Sequence, residues 1–317
     1  MLLTSACNSL FYYPDRLTYM TPDKRGFQYQ EGKLKTPDGE VLKYWVIAAK
    51  HKKIGTILHF HGNAQNMSAH FLFVAWLSEF GYEVINFDYR GYGQSTGIPD
   101  RQGLVVDGQV MLDFLESQQI PYFVIGQSLG GAVAIPAIAS LKPTRLRGVI
   151  LDSTFASYRG IAQCKLAENP ITWIFQWPLS FLVSDELSPI DSVYSLDFPI
   201  LQFHSRSDLV VPFAQGKELF DGFNFRKRFI ALKRSGHTKA LVPPFSQHHL
   251  DLLLWLCSLN DDEEVCKQIV EKSEIRRNYQ KDASLSSFFE NLLIPPLEKG
   301  GFVKVGKLAK VKNVSTD

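Results

Sequence analysis

An apolar run, Tyr122-Phe123-Val124-Ile125-Gly126, passes into a run of small residues, Gly131–Leu141, through Gln127-Ser128-Leu129-Gly130. The first reads as a strand and the second as a helix. A chain that turns from one to the other in so few residues strains the residue at the bend, and side chains two positions either side of it would collide. Glycine stands at both positions, Gly126 and Gly130. A G-x-S-x-G pattern in this setting raises a serine hydroxyl at the edge of a sheet. It also places that hydroxyl at a helix N-terminus, whose N–H groups favour developing negative charge.

The rest of the chain supplies the sheet. Strands are expected at 41–47, 54–62, 83–89, 122–126, 148–152, 199–204 and 227–232, and helices over 68–80, 101–119, 131–141, about 212–221 and about 246–258. Strands that are apolar throughout and alternate with helices specify an α/β fold, a mostly parallel sheet covered by helices on both faces. Residues 27–47 read as an antiparallel hairpin at one edge, turning at Thr36-Pro37-Asp38-Gly39. Between about 155 and 190 the rhythm breaks, and a short helical cap is expected there. The domain therefore runs from 27 to 258, after an N-terminal segment (1–26) and before a charged, flexible tail (259–317).

Composition removes other classes. Hydrophobic residues make up 45 % and charged residues 21 % of the 317 residues, so wholesale disorder is excluded. A net charge of +2 argues against nucleic acid as the main partner. No apolar run is long enough for a membrane-spanning helix. The four cysteines form no C-x-x-C, and the histidines are not grouped with carboxylates or cysteines in a recognised metal-site pattern, so no metal is expected.

A serine hydroxyl needs a base, and the base is a histidine oriented by a carboxylate. In open sheets the order is Ser, acid, His. Asp208 follows the strand at 199–204 and His237 the strand at 227–232, so both stand in loops at strand carboxyl ends, where such sheets bind ligands. Asp152, Asp191 and Asp197 are rival acids, with Asp152 read as a loop or helix-capping residue. The backbone N–H groups of Asn63 and Leu129 are expected to form an oxyanion hole, with His61 buttressing its loop. Asp88–Ser95 is expected to pack behind the bend. Gln127, Trp173, Trp177 and Phe181 are candidate pocket residues, the aromatic ones overhanging Ser128 from the cap.

Five stretches together carry a resemblance. They are His61-Gly62-Asn63-Ala64, Asp88-Tyr89-Arg90-Gly91-Tyr92-Gly93-Gln94-Ser95, the elbow at 126–131, Ser205-Arg206-Ser207-Asp208-Leu209-Val210-Val211-Pro212, and Gly236-His237. Over residues 10–258 the chain resembles the α/β-hydrolases, Bem46-type serine hydrolases most of all. The resemblance implies acyl transfer without a cofactor, on small-molecule or lipid-like esters or thioesters. Amide cleavage stays open, and a non-catalytic binding protein of the same fold is the rival class. Thr4-Ser5-Ala6-Cys7 is similar to the end of a bacterial lipoprotein signal. If the native start lies upstream, a lipidated Cys7 would tether the protein in the cell envelope; otherwise a cytoplasmic protein with an inert Cys7 is expected.

Overall fold

The computed structural model describes residues 12–168 and 170–260, with Lys267 and Glu271. Cys7 and the tail beyond 260, apart from those two residues, lie outside the described residues. Among the described residues the core is an eight-stranded sheet in the order β1-β2-β4-β3-β5-β6-β7-β8. The strands are β1 (Tyr29–Lys35), β2 (Val41–Ile47), β3 (Gly55–Phe60), β4 (Tyr82–Phe87), β5 (Tyr122–Gln127), β6 (Leu146–Asp152), β7 (Ile200–Ser205) and β8 (Lys227–Leu232). The hairpin β1–β2 joins β4 antiparallel, and every pairing from β4 to β8 is parallel.

Period-two alternation explains why both faces are covered. Leu58, Phe60, Val124, Val149 and Leu151 point to one side, packing with Leu104, Met111 and Leu115 of α3 (Arg101–Ser117) and Ile135 and Ile138 of α4 (Leu129–Leu141). Ile57, Phe123, Ile125, Ile150 and Phe203 point to the other, with Leu252, Leu253 and Leu256 of α10 (Gln247–Cys257). Each side chain so buried contributes about 1.5–3 kcal/mol.

The segment expected as one helix over 68–80 is divided. It forms α1 (Met67–His70), α2 (Leu72–Ala75) and a 3-10 turn at Trp76–Phe80. The chain tightens and stops at Gly81, whose φ of 89° suits glycine. Phe71, Val74, Ala75 and Leu77 nevertheless keep their helical spacing toward the core and are fully buried.

Between β6 and β7 lie α5 (Tyr158–Glu168), α6 (Pro170–Trp173), α7 (Gln176–Ser180) and α8 (Pro189–Ser192). The entry and exit of this segment are zipped together. Asp185 accepts from Ser157 Oγ (2.8 Å) and the Arg159 N–H (3.0 Å), and Ser188 Oγ accepts from the Tyr158 N–H (3.2 Å). Arg101 stacks on Tyr158 at 3.8 Å and donates to the carbonyls of Ser184 and Glu186. Next come α9 (Phe213–Gly222) and β8.

Candidate active site

Ser128 stands between β5 and α4 with φ 52° and ψ −116°, a strained conformation for a residue with a side chain. The flanking glycines are required by close approach. A Cβ on Gly126 would lie 2.6 Å from Gly131 Cα, and one on Gly130 would run into the Phe60 carbonyl. The Ser128 N–H donates to the Asp152 carbonyl at 2.9 Å, which ties the bend to the end of β6. Leu129 is the first residue of α4, where N–H groups have no intrahelical acceptor.

Asp208 and His237 meet at the same carboxyl edge. His237 Nδ1 lies 2.8 Å from Asp208 Oδ2, and Asp208 Oδ1 accepts from the N–H groups of Val210 and Val211 at 2.9 Å each. Burial pushes the Asp208 carboxyl up, but the His237 bond and charge and the two N–H groups outweigh it and hold the carboxyl below its ordinary value. A carboxylate on Nδ1 leaves Nε2 as the proton-accepting nitrogen. The Thr238 N–H donates to Ser153 Oγ at 3.0 Å, which draws the His237 loop to the end of β6. The last pairing between β5 and β6 joins Gln127 to Asp152. Ser128 follows the one and Ser153 the other, so the bend and the His237 loop converge.

Asp152 is neither a loop nor a helix-capping residue. It ends β6, buried beside this edge. Its Oδ1 accepts from Ser153 Oγ. Burial raises its carboxyl to about 6 against the opposing pull of His237. It is nonetheless His237 and Asp208 that are joined by the hydrogen bond. Asp191 sits in α8 and Asp197 is exposed before β7.

The loop after β3 meets Ser128 from the other side. A Cβ on Gly62 would stand 3.9 Å from Ser128 Cβ. Ala64 and Gln65 both hold positive φ, 65° and 59°. Each such residue costs on the order of 1–3 kcal/mol and persists only where the surroundings impose it. His61 Nδ1 donates to the Gly62 carbonyl (2.7 Å) and His70 Nε2 to the Ala64 carbonyl (3.2 Å), so two rings stacked 5.3 Å apart hold the carbonyls on either side of Asn63. Burial holds His70 down to about 3, which keeps it uncharged at neutral pH. His61 therefore buttresses the loop as expected from the sequence. His70, and Tyr92 of the Asp88–Ser95 stretch, whose hydroxyl donates to Asn63 Oδ1 at 2.9 Å, also hold this loop, a role the sequence did not assign to either.

Gln127, a candidate pocket residue, is held by a buried histidine. It is buried, with Oε1 2.9 Å from His59 Nε2, while His59 Nδ1 lies 2.8 Å from Asn86 Oδ1. Burial lowers His59 to about 4, so its ring is neutral and carries a single N–H. One of the two amides must therefore turn its NH2 to the ring. This chain of polar side chains links β4, β3 and β5 beneath the bend. Trp173, Trp177 and Phe181 of the cap are 56 %, 63 % and 63 % exposed. Arg90 is committed to Asp107 and Asp38. Among the described residues no three His, Cys, Asp or Glu side chains are grouped to hold a metal, and no helix is long and apolar enough to cross a membrane.

A mostly parallel sheet carrying a strained serine at a strand-to-helix turn, with an Asp–His pair at the same edge, defines an α/β-hydrolase. Comparisons with known proteins agree. Residues 51–184 match the family described as serine aminopeptidase, S33. The chain is 34 % identical over 255 residues to the uncharacterized protein YfhR of Escherichia coli K12, covering 77 % of this chain and 83 % of that one. It is 35 % identical over 159 residues to protein bem46 of Schizosaccharomyces pombe (48 % and 52 % covered). It is 32 % identical over 181 residues to the lysophosphatidylserine lipase ABHD12 of Danio rerio (52 % and 46 % covered). The solved esterase Pf2001 of Pyrococcus furiosus shares the fold with a TM-score of 0.60 at 20 % identity, covering 73 % of this chain and 91 % of that one. The chain belongs to the α/β-hydrolase superfamily, with relatives of the Bem46 type, and is a hydrolase.

Proposed function

We propose that the protein is a serine hydrolase that cleaves carboxylic esters or thioesters of lipid-like acyl groups. The observation that carries this reading is the strained Ser128, held between two glycines that admit no side chain, at the edge where His237 is bonded to Asp208. Ser128 Oγ attacks the acyl carbon as His237 Nε2 takes its proton. Asp208 stabilises the imidazolium. The N–H groups of Asn63 and Leu129 hold the oxyanion, each worth about 3–4 kcal/mol in the transition state. Collapse breaks the bond to the alcohol or thiol, which leaves with the proton from His237. Water then repeats the sequence on the acyl-enzyme and frees the acid. These groups need no cofactor.

The substrate class rests on the cap. Residues 170–184 carry no charge, and Ile171, Trp173, Ile174, Phe175, Trp177, Leu179, Phe181 and Leu182 are exposed. Apolar surface of this kind marks a binding site. Leu209 and Val210, immediately after Asp208, are exposed as well, and Lys165 Nζ of the cap donates to the Leu209 carbonyl at 3.2 Å. We take this rim as the part that meets long acyl chains and, at a lipid surface, the acyl layer itself. The lysophosphatidylserine lipase relative is consistent with that.

A fluorophosphonate probe is expected to label the protein, with the adduct mapping to Ser128; a protein left unlabelled is instead a binding protein of the fold. A panel of p-nitrophenyl esters from acetyl to palmitate, with an acyl-thioester and an amino-acid p-nitroanilide, is expected to favour the longer esters or the thioester. Turnover confined to the anilide would turn the reading toward the aminopeptidase activity in the matching family's description. Trp173→Ala combined with Trp177→Ala is expected to raise KM for long acyl chains several-fold more than for acetyl esters. Equal effects on both would remove the rim from the site.

A further inference from the structure

The oxyanion loop has a partner far away in the sequence. Residues 12–19, at the N-terminal end of the described chain, lie along it. The Tyr13 N–H donates to Asn63 Oδ1 at 3.0 Å, and the Asp15 N–H to the Gln65 carbonyl at 3.3 Å. Pro14 and Gln65 form a parallel bridge. Asn66 Nδ2 donates to Asp15 Oδ1 (3.0 Å) and to the Leu17 carbonyl (2.7 Å), and the Tyr19 N–H to Ser68 Oγ (2.9 Å). The Gly93 N–H, one residue past Tyr92, donates to the Asp15 carbonyl at 2.8 Å. Tyr12 is buried among Tyr92, Phe155 and Tyr158, so the same segment is anchored at the entry of the cap.

These bonds fall on the stretch that local preference does not stabilise. Ala64 and Gln65 are left-handed without being glycine, and Asn63 precedes them. Its side-chain oxygen gathers donors from three places: Tyr13, its own neighbour Ala64, and Tyr92. A loop strained in this way relaxes when its external partners leave, and the Asn63 N–H turns with it.

We infer that residues 12–19 are a positioning strap that holds the oxyanion loop in its left-handed shape, so that the Asn63 N–H faces Ser128. The inference rests on the hydrolase reading above. Oxyanion donors act in the transition state more than in the bound ground state, so loosening the strap lowers kcat and leaves KM nearly unchanged.

The test uses the full chain with a short p-nitrophenyl ester. Tyr13 precedes Pro14, so its backbone is already biased to the extended shape a proline accepts. Tyr13→Pro removes the N–H that Asn63 receives. It is expected to lower kcat at least tenfold with KM within twofold and Tm within a few degrees. Tyr13→Phe keeps that N–H and is expected to restore the rate. Asp15→Ala cuts the hold on Asn66 Nδ2 from the outside and is expected to lower kcat several-fold; it decides the matter if the proline variant does not fold. Wild-type kcat in both Tyr13→Pro and Asp15→Ala, or equal losses in Tyr13→Pro and Tyr13→Phe, overturns the strap and leaves the hydrolase standing. A wild-type protein that neither turns over ester nor takes the phosphonate sinks both.

Discussion

On the proposed triad, Asp208→Asn is expected to lower kcat for ester hydrolysis by about 10⁴-fold, the scale set by the same change in a serine protease. The hydrogen bonds around Asp208 explain why so small a change does so much. The N–H groups of Val210 and Val211 both point at Oδ1. An asparagine must keep its carbonyl oxygen there, which turns its NH2 toward His237 Nδ1. The imidazole then has to present a lone pair at Nδ1 and carry its proton on Nε2, where it cannot accept the proton of Ser128. Asp152→Asn behaves differently. The Asp152 carboxyl titrates near 6 because it is buried, so above that pH it places a negative charge beside His237 and below it is as neutral as asparagine. The variant is expected to keep activity within about tenfold of wild type, the worth of one moderate charge interaction near 1.4 kcal/mol. Its deficit fades as the pH falls below 6. A pH–rate profile of both variants checks this; loss of turnover in Asp152→Asn with Asp208→Asn still active would reassign the acid.

Gly130→Ala carries the second large effect, on folding as well as on rate. The new methyl would occupy the position of the Phe60 carbonyl, which is backbone within the sheet and has no other place to go. Overpacking against such a neighbour costs about 3 kcal/mol. At about 2–4 °C per kcal/mol for a domain of this size, thermal unfolding should show Tm lowered by roughly 6–12 °C. Phe60 leads directly into His61 and the oxyanion loop, so any shift that makes room also displaces Asn63, and turnover falls beyond what the Tm explains. Gly26→Ala is the comparison. Its φ is 77° but nothing lies within 4 Å of the added carbon, so only backbone strain of about 1 kcal/mol applies. A Gly130→Ala protein as stable as Gly26→Ala would mean that the strand and helix are not packed as described.

What could be read from the residues alone follows from where the information sits. The bend announced itself because steric necessity leaves glycine as the sole solution at 126 and 130. The meeting of Asp208 with His237 was legible because each is a reactive side chain just past an apolar strand. The bond between Gln127 and His59, 68 positions earlier, was not legible, because no local pattern encodes that pairing. Asp152 looked like a cap because an Asp-Ser-Thr run after a strand resembles a helix start; burial inside β6 is a tertiary fact. The strap was invisible for a deeper reason. Most of its bonds use backbone N–H and C=O groups, which every residue but proline carries, so the sequence 12–19 bears almost no mark of its partner.

The cap's two feet, joined through Asp185, Ser188 and Arg101, have an evolutionary consequence. Because entry and exit are fastened to each other and to α3, the helices strung between them form a cassette. Its contents can be lengthened, shortened or exchanged while Ser128, Asp208 and His237 keep their places. On the proposed function, rewriting that one surface loop would change which acyl groups are met while leaving the reacting groups untouched.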